Sequence, residues 1–139
     1  MEIQIREVDE ASPEHYIQAI LSLCFGGSNV DKCHALEKAI RCPTAHVYVA
    51  VVEDKVVGTG TYVLTPHPRL VSGMVYDIVV DSAYKGRGVI GQLGSVIKQA
   101  AYQDGCTCVM VGVFDSHEHR AYWDRGWRGN GVKVLYMEV

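Results

Sequence analysis

The sequence predicts one mixed α/β domain that spans residues 1–139. Strand-like and helix-like patterns follow one another in the order strand, two helices, three strands, helix, strand, helix, strand. That order indicates a sheet and helices in one packing unit. The length of 139 residues is enough for one hydrophobic core. The residues are 48% hydrophobic and 21% charged, which is the usual balance of a water-soluble domain.

The first strand and two helices are predicted in the first third of the chain. Apolar residues that alternate with charged ones predict a short strand, at Ile3, Ile5 and Val8. Ser12 is the predicted N-cap of the first helix and Pro13 its first residue, and the run Gly26–Ser28 ends the helix. A second helix is expected from Asp31 to the residue before Pro43.

Two β-rich runs follow, at His46–Val52 and Val56–Leu64. The polar residues 53–55 between them predict a hairpin turn. Gly58 and Gly60 lie on one face of the second run. Glycines at these positions predict that another group approaches the strand closely or that the strand bends.

The second half of the chain is predicted to open with a loop, a strand and a helix. The proline-bounded run Thr65–Arg69 is the expected loop, and Met74–Val80 is short, apolar and β-branched, as in a buried strand. Apolar residues at helical spacing predict a helix over Val89–Asp104, which stops at Gly105 as a C′ glycine. A strand over 107–113, a short helix over 117–125 and a last strand over 132–139 complete the prediction.

The turn Asp81–Gly88 becomes basic and glycine-rich where it leads from a buried strand into a helix. Free backbone N–H groups and the positive end of the helix dipole make such a junction a site for phosphate. Lys85 and Arg87 add positive charge beside it. A Walker A loop is excluded, because Gln92-Leu93 follow the second glycine in place of Lys and Ser or Thr.

The run Gly86–Gly91 also has the formal G-x-G-x-x-G pattern of a dinucleotide-binding fingerprint. That fingerprint needs a tight turn at the end of the strand, whereas Asp81–Lys85 separate the strand from the first glycine. Fewer than fifty residues follow the run, which is too few for a doubly wound sheet. A dinucleotide enzyme is therefore an alternative with weak support.

The run Lys85–Ile90 resembles the acetyl-CoA signature of the GNAT N-acetyltransferase superfamily, Q/R-x-x-G-x-G/A after a buried strand. Within that superfamily, Tyr76–Gly86 is similar to glucosamine 6-phosphate N-acetyltransferases, whose strand and turn read roughly H-I-E-D-I-V-V-D-S-x-Y-R-G. Residues 121–127 are similar to their F-Y-E-K-x-G-F stretch, and the resemblance covers residues 46–139. It implies a mostly antiparallel central sheet flanked by helices, with one splayed pair of parallel strands.

The resemblance implies that acetyl-CoA lies across the strand end and the glycine loop. Backbone groups of the strand would pair with the pantetheine arm, at Ile78, Val79 and Val80. The loop and helix start would bind the pyrophosphate, at Lys85, Gly86, Arg87, Gly88, Val89, Ile90 and Gly91. Arg120 is a further candidate for the phosphates.

The resemblance also implies the catalytic and acceptor residues. Tyr122 falls where the family places the tyrosine that protonates the departing thiolate, and a phenol is a suitable donor. Asp77 is the predicted acceptor contact or general base, and the acceptor set comprises Tyr76, Asp77, Thr107 and Cys108. Three histidines are alternative bases, namely His46, His67 and His117.

The chain departs from the family pattern at several positions. Ile90 stands where the signature has Gly or Ala, and its branched side chain is expected to crowd the pyrophosphate unless Gly91 relaxes the helix start. Gly91 and Gly94 each cost about 1 kcal/mol of helix propensity relative to alanine, which suggests that cofactor or backbone comes close. Tyr76 replaces an acid of the glucosamine 6-phosphate enzymes, and Gly112 replaces another. These losses weaken the prediction of the acceptor more than that of the cofactor.

Composition excludes several other classes of function. A net charge of −3 argues against nucleic acid as a partner. No apolar run reaches membrane-spanning length, and the first residues contain no signal-peptide core, so a cytoplasmic location is expected. Five cysteines without a C-x-x-C pair fit reduced thiols, and neither Cys33-His34 nor His117 with His119 has the spacing of a metal site.

The resemblance, which these observations do not contradict, implies an acetyl-CoA-dependent N-acetyltransferase that acts by direct attack of a primary amine. The expected acceptor is glucosamine 6-phosphate, which gives N-acetylglucosamine 6-phosphate for nucleotide-sugar synthesis. Another amine, on a polyamine, amino acid, aminoglycoside or protein N-terminus, is as well supported, and a non-catalytic acyl-CoA-binding domain is the alternative outside catalysis. The resemblance also implies a homodimer whose C-terminal strands complete the partner's site.

Overall fold

A computed structural model of the chain describes residues 1–26, 33–112, 126–129 and 137–138. Within these ranges five strands form one sheet, in the order β1 (Gln4–Val8), β2 (Ala45–Val52), β3 (Lys55–His67), β4 (Leu70–Val80) and β5 (Cys108–Val111). Neighbouring strands are antiparallel except for the parallel pair of β4 and β5. The helices are α1 (Glu14–Phe25), α2 (Cys33–Arg41) and α3 (Val89–Gln103), with one 3-10 turn at Ser82–Tyr84. The predicted mixed, mostly antiparallel sheet is confirmed.

The helices cover both faces of the sheet. One face packs against α1 and α2, with a buried core that includes Val47, Val49, Val51, Tyr16 and Ile20. The other face packs against α3, with a buried core that includes Tyr48, Tyr62, Val75, Leu93 and Ile97. Alternate residues of β2 and β3 therefore enter different cores, as the period of two of a strand requires.

The β2–β3 hairpin confirms the predicted turn. Glu53 and Asp54 both have positive φ, 49° and 64°, which is the conformation of a tight two-residue hairpin turn. A Cβ at Gly58 would lie 2.9 Å from Cγ1 of Val89, so the start of α3 packs on bare β3 backbone. At Gly58 the predicted close approach is thus a contact with α3, whereas a Cβ at Gly60 would lie 3.2 Å from Cγ1 of Ile78 on β4.

The loop predicted at Thr65–Arg69 is wrong. β3 runs on to His67 and β4 begins at Leu70, with Pro66 opposite Val71. The pairing of β2 with β3 extends only to Val63, so Pro66 lies where β2 takes no hydrogen bond from β3. Proline is tolerated at such a strand edge, because its missing N–H costs no ladder bond there.

The predicted N-cap of α1 is also wrong by one residue. Pro13 occupies the cap position, and no side chain caps the helix there. The hydroxyl of Ser12 instead accepts a hydrogen bond from the N–H of Asp9 at 2.9 Å, and Oδ1 of Asp9 accepts one from the N–H of Ala11 at 2.8 Å. The hydroxyl is therefore used in the turn that precedes α1.

The remaining predictions agree where the structure describes them. α1 ends at Gly26, whose φ is 71°, and α3 matches the predicted helix with Gly105 at φ 79° just beyond its cap. β5 lies within the predicted strand over 107–113. Asp31, the predicted helix over 117–125 and the predicted strand over 132–139 lie outside the described residues, apart from Met137 and Glu138.

Candidate active site

The start of α3 offers backbone N–H groups without a capping side chain. Its N-cap is Gly88 in the left-handed conformation, with φ 87°, and no side chain caps the helix. The first backbone bond of the helix runs from the N–H of Gln92 to the carbonyl of Gly88 at 3.0 Å. The N–H groups of Val89, Ile90 and Gly91 precede that bond, so an anion can accept hydrogen bonds from them.

The turn before the helix is fixed by a carboxylate. Oδ1 of Asp81 accepts a hydrogen bond from the N–H of Ala83 at 3.0 Å, and the N–H of Asp81 donates to the carbonyl of Val57 at 2.8 Å. Oδ2 of Asp81 lies 3.5 Å from Nζ of Lys55. The hydrogen bond from Ala83, followed by the charge of Lys55, lowers the pKa of Asp81, so the ionised form is favoured.

A cleft of about 470 Å³ opens beside α3, between the sheet and the segment Gly126–Arg128. We call it the inner cleft; its lining comprises Ile78 of β4, Val109 of β5, Ile90, Gly91, Gly94, Ser95, Ile97 and Lys98 of α3, and Gly126, Trp127 and Arg128. It touches the uncapped end of α3, and one residue from each of the two parallel strands lines it. An elongated ligand with an anionic group can therefore lie with that group at the helix start and its chain in the cleft.

The inner cleft contains three of the predicted cofactor residues and several that the sequence did not reveal. Ile78, Ile90 and Gly91 line it, whereas Val80 is buried in the core and Val79 is absent from the described lining. Ser95, Lys98, Trp127 and Arg128 also line it and were not predicted. The spacing of Gly91, Gly94, Ser95 and Lys98 places them on one face of a helix, and that signal could have identified the last two.

The glycines of α3 leave room in the inner cleft. A Cβ at Gly94 would have no neighbour within 4 Å among the described residues, so this glycine borders open space there. Ile90 is half-buried and packs partly against the core, which draws its side chain toward the sheet. The expected crowding at Ile90 stays a prediction, since Ile90 also lines the cleft beside Gly91 and Gly94.

β4 contains a β-bulge between Tyr76 and the cleft residue Ile78. Thr59 pairs with Val79 and Thr61 pairs with Tyr76, so Asp77 and Ile78 both stand opposite Gly60. Asp77 has φ 52°, a left-handed conformation that is uncommon for a residue other than glycine. A bulge re-aims side chains next to active sites.

Tyr76 and Asp77 lie on the side of the sheet that faces α1. Tyr76 pairs with Thr61, on the opposite face from the core of α3, and 51% of its surface is exposed. Burial raises the pKa of the Cys24 thiol on α1 to about 11, and the nearby Asp77 carboxylate adds to that shift. Ile78 lines the inner cleft on the other side, so neighbouring residues of β4 serve opposite faces.

Thr107 and Cys108 lie away from this carboxylate. Cys108 pairs with Ser72, and the N–H of Thr107 donates to the carbonyl of Val71 at 3.0 Å. Ser72 precedes Asp77 by five residues of strand, which is roughly 16 Å along β4. The structure therefore brings Tyr76 and Asp77 together, but it does not bring Thr107 and Cys108 to them.

The basic residues of the loop are exposed, and one of them faces a second cleft. Arg87 and Tyr84 line a cleft of about 510 Å³ that also includes Arg6, Glu53 and Asp54. We call it the outer cleft. The guanidinium carbon of Arg87 lies 5.5 Å from the centre of the Tyr84 ring. Lys85 is exposed in the same loop, whereas Tyr122 and Arg120 lie outside the described residues.

Two of the alternative bases have structural partners elsewhere. His46 contacts the carboxylate of Glu7, and its other ring nitrogen lies 3.9 Å from Asp104 at the far end of α3. His67 lies in the β3–β4 hairpin, 3.5 Å from the hydroxyl of Ser72. The third, His117, lies outside the described residues. Asp77 is therefore the predicted base that the described structure places at the bulge.

Among the described residues, no three His, Cys, Asp or Glu side chains are placed to hold a metal ion. All five cysteines are free thiols. No described helix has the length and apolar composition that a membrane span requires.

The chain was compared with families and proteins of known structure. Residues 14–127 match the model of the acetyltransferase (GNAT) family. No curated protein sequence matches the chain.

Several solved structures share the fold at low sequence identity. The aminoglycoside N-acetyltransferase AAC(6')-Iy, solved with a CoA-linked bisubstrate analogue, has a TM-score of 0.84 at 14% identity, over 100% of this chain and 99% of that one. Glucosamine-6-phosphate N-acetyltransferase from Arabidopsis thaliana has a TM-score of 0.79 at 17% identity, over 99% of both chains. A transcriptional regulator from Bacillus halodurans has a TM-score of 0.81 at 19% identity, over 99% of this chain and 100% of that one.

Proposed function

The chain belongs to the acetyltransferase (GNAT) family and is an N-acetyltransferase that uses acetyl-CoA, and from that premise we propose that it acetylates the primary amine of a small amino sugar, with glucosamine 6-phosphate as the first candidate. The observation that carries the proposal is the bulge of β4. It presents the carboxylate of Asp77 on the α1 side, directly after Tyr76 and directly before the cleft residue Ile78. Acceptor and cofactor can thus meet across one strand.

The sugar is supported by similarity on the same strand. Tyr76–Gly86 is similar to the strand and turn of glucosamine 6-phosphate N-acetyltransferases. Solved structures with this fold include one such enzyme and aminoglycoside acetyltransferases. Both kinds of acceptor are amino sugars, so the amine of an amino sugar is the common chemistry.

The proposed reaction forms a C–N bond and breaks a C–S bond. Acetyl-CoA supplies a thioester carbonyl when it is bound. The N–H groups at the start of α3 bind its pyrophosphate, and the backbone at Ile78 holds its arm beside the bulge. Asp77 accepts a proton from the acceptor ammonium, directly or through water, and the freed amine attacks the carbonyl carbon. Tyr122 donates its phenolic proton to the departing thiolate, and the proton that the nitrogen loses as the amide forms returns to Tyr122 through solvent.

The first test is release of free thiol from acetyl-CoA with a panel of amines. Glucosamine 6-phosphate and glucosamine are compared side by side. Turnover that requires the phosphorylated sugar would support the first candidate. Turnover only with another amine would refute that acceptor, and bound CoA without turnover on any amine would contradict the proposed reaction.

Two variants test the assigned roles. Asn adopts the left-handed conformation well, so Asp77→Asn keeps the bulge and removes the base. It is expected to lower kcat by about 100-fold or more, because a general base typically contributes that much. Tyr122→Phe removes the thiolate donor and is expected to lower kcat without weakening CoA binding. Unchanged kcat in Asp77→Asn would remove Asp77 from the mechanism.

A second acceptor is favoured by the charge of the α1 side. Neither α1 nor β4, both fully described, contains a lysine or arginine. A sugar phosphate would therefore need cations from other segments, whereas an aminoglycoside carries several amines that a carboxylate attracts. Aminoglycosides are accordingly the second class in the panel.

We also propose that residues 1–139 act as one acetyltransferase domain in a cytoplasmic homodimer. The resemblance to glucosamine 6-phosphate acetyltransferases supports the dimer, and the five free thiols fit a reducing compartment. Light scattering after size exclusion measures the mass directly. A mass of 15.3 kDa at working concentration would overturn the dimer.

A further inference from the structure

The ring of Tyr84 connects two cations at the outer side of the phosphate loop. Nζ of Lys55, at the start of β3, lies 5.3 Å from the ring centre, and Cζ of Arg87 lies 5.5 Å from it. Both distances fall within the range of cation–π attraction. Tyr84 is half-buried and packs against the core on the α3 side, so the ring is anchored in the fold.

We propose that Tyr84 is a positioning residue for the cofactor phosphates. Its ring holds Arg87 in place between the two glycines of the loop, and through Lys55 it ties the loop to the β2–β3 hairpin. The proposal rests on acetyl-CoA as the bound cofactor and is independent of the acceptor.

The loop needs such an anchor because its backbone is intrinsically free. Gly86 and Gly88 have φ values of 76° and 87°, and glycine loses more conformational freedom on ordering than any other residue. Arg87 stands between them. A contact that fixes the side chain of Arg87 also restricts the backbone on both sides, and the loop then presents its N–H groups in one arrangement before a phosphate arrives.

Charge around Tyr84 is arranged to keep the two cations at the loop. Asp81, with its lowered pKa, provides a negative charge 3.5 Å from Lys55 and also caps the 3-10 turn that ends at Tyr84. Lys55 is thus held by a carboxylate and a ring, whereas Arg87 rests on the ring and remains exposed. Its positive charge therefore stays beside the phosphate site.

The experiment compares CoA with phosphate-free pantetheine in Tyr84 variants. Trp127 lines the inner cleft, so tryptophan fluorescence can follow binding without an acceptor. Tyr84→Leu removes the aromatic face and Tyr84→Phe keeps it. We expect Tyr84→Leu to raise the Kd of CoA about fivefold, whereas Tyr84→Phe changes it by less than about twofold. Pantetheine should bind all three proteins with the same Kd.

A double-mutant cycle tests the route through Arg87. Arg87→Met alone should weaken CoA, and adding it to Tyr84→Leu should weaken CoA little further, because the ring acts through Arg87. Lys55→Met tests the other cation in the same way. It leaves the core unchanged, so it can be measured even if Tyr84→Leu does not fold. Thermal unfolding of each variant reports on the fold.

Three results would overturn the proposal. One is an equal loss of CoA and pantetheine binding in Tyr84→Leu, which indicates a structural role alone. Another is full additivity of Tyr84→Leu and Arg87→Met. The third is unchanged CoA binding in both Tyr84→Leu and Lys55→Met. Because binding is measured without an acceptor, failure of the proposed amino-sugar reaction would leave these results readable.

Discussion

The two ends of α3 differ in how their backbone groups are satisfied. Carbonyl groups at the C-terminal end accept hydrogen bonds from protein N–H groups, whereas the first N–H groups follow a glycine that has no side chain to cap them. The N–H of Gly105 donates to the carbonyl of Tyr102 at 3.1 Å, and that of Cys106 donates to Ala101 at 2.9 Å, which together form a Schellman motif. At the N-terminal end the N-cap is Gly88, and no described side chain caps the helix there.

Side chains reinforce the difference. Around the C-terminal end, the hydroxyl of Tyr62 donates to Asp104 at 3.1 Å and lies 3.1 Å from Sγ of Cys106, and His46 stacks on the Tyr62 ring at 5.6 Å. We call these residues, with Glu7, the Tyr62 cluster. Polar groups at this end are satisfied within the protein. The comparison suggests that one end of the helix provides stability and the other provides ligand binding.

The largest expected effect on stability comes from adding a methyl group at Gly73, against the Tyr62 ring. A Cβ at Gly73 would lie 2.3 Å from Cε2 of Tyr62, which is fully buried. Gly73→Ala is expected to lower the free energy of unfolding by about 3 kcal/mol, because a packed ring cannot move aside freely. Urea denaturation measures the change.

The matched control for Gly73→Ala is Gly112→Ala. A Cβ there meets none of the described residues within 4 Å, so stability should change by less than about 0.5 kcal/mol. Equal effects in the two variants would contradict the close packing of Tyr62 on Gly73.

Removing the Tyr62 hydroxyl should weaken the fold and spare the ligand end. Tyr62→Phe leaves Asp104 and Cys106 without their shared partner, and it is expected to cost about 2 kcal/mol of unfolding free energy. The Kd of CoA should remain as in the parent protein. A variant that loses CoA binding in proportion to stability would show that the two ends of α3 are not independent.

Alkaline pH should act on the same end. Burial, and then Cys106 and Asp104, raise the pKa of Tyr62, and burial raises that of Tyr48 to about 12. Both groups keep their protons in the fold after the unfolded chain has released them near pH 10. Stability is therefore full below about pH 10 and falls as pH rises, by about 1.4 kcal/mol per pH unit for each tyrosine.

The tyrosine contribution can be isolated by repeating the pH series on Tyr62→Phe. Above pH 10, the free energy of unfolding of Tyr62→Phe should fall less steeply than that of the parent protein, by about 1.4 kcal/mol per pH unit. An identical slope in parent and variant would mean that Tyr62 ionises in the fold as it does in the unfolded chain.

The smallest expected effect has opposite signs for stability and binding. Gly94→Ala is expected to stabilise α3 by up to about 1 kcal/mol, because alanine favours helix and the site is open. The same methyl group enters the inner cleft and should raise the Kd of CoA. Denaturation and fluorescence titration on one protein sample would measure both, and tighter CoA binding would exclude Gly94 from the cofactor wall.

Local patterns were enough to predict both glycine boundaries of α3. The basic glycine turn before Val89 and Gly105 after the helix have signatures in neighbouring residues, and both are present in the structure. The Tyr62 cluster had no such signature, because Asp104 and Cys106 lie 42 and 44 residues from Tyr62 along the chain. Contacts of that separation depend on the packing of the sheet rather than on spacing.

The bulge at Asp77 was not predicted for a different reason. Glycine is the residue that usually predicts a positive φ, and Asp77 has a positive φ although it is not a glycine. Pro66 led to the wrong prediction of a loop, because proline is typical of loops, whereas here it lies in β3 at a strand edge. The carboxylate itself was predicted as an acceptor contact, but the pairing that directs it toward α1 follows from the sheet register.

The bulge also has a consequence for how β4 tolerates insertion and deletion. Because Asp77 is the extra residue opposite Gly60, a chain without it could pair Tyr76 and Ile78 in regular alternation, with each side chain on its present face. Deletion of this one residue is therefore compatible with the sheet and both cores. Deletion of Tyr76 would restore the same register but put Asp77 opposite Thr61, and deletion of Ile78 would put Asp77 opposite Gly60 on the α3 side. Position 77 is a place where the chain can gain or lose an acceptor-side group without rebuilding its cofactor side.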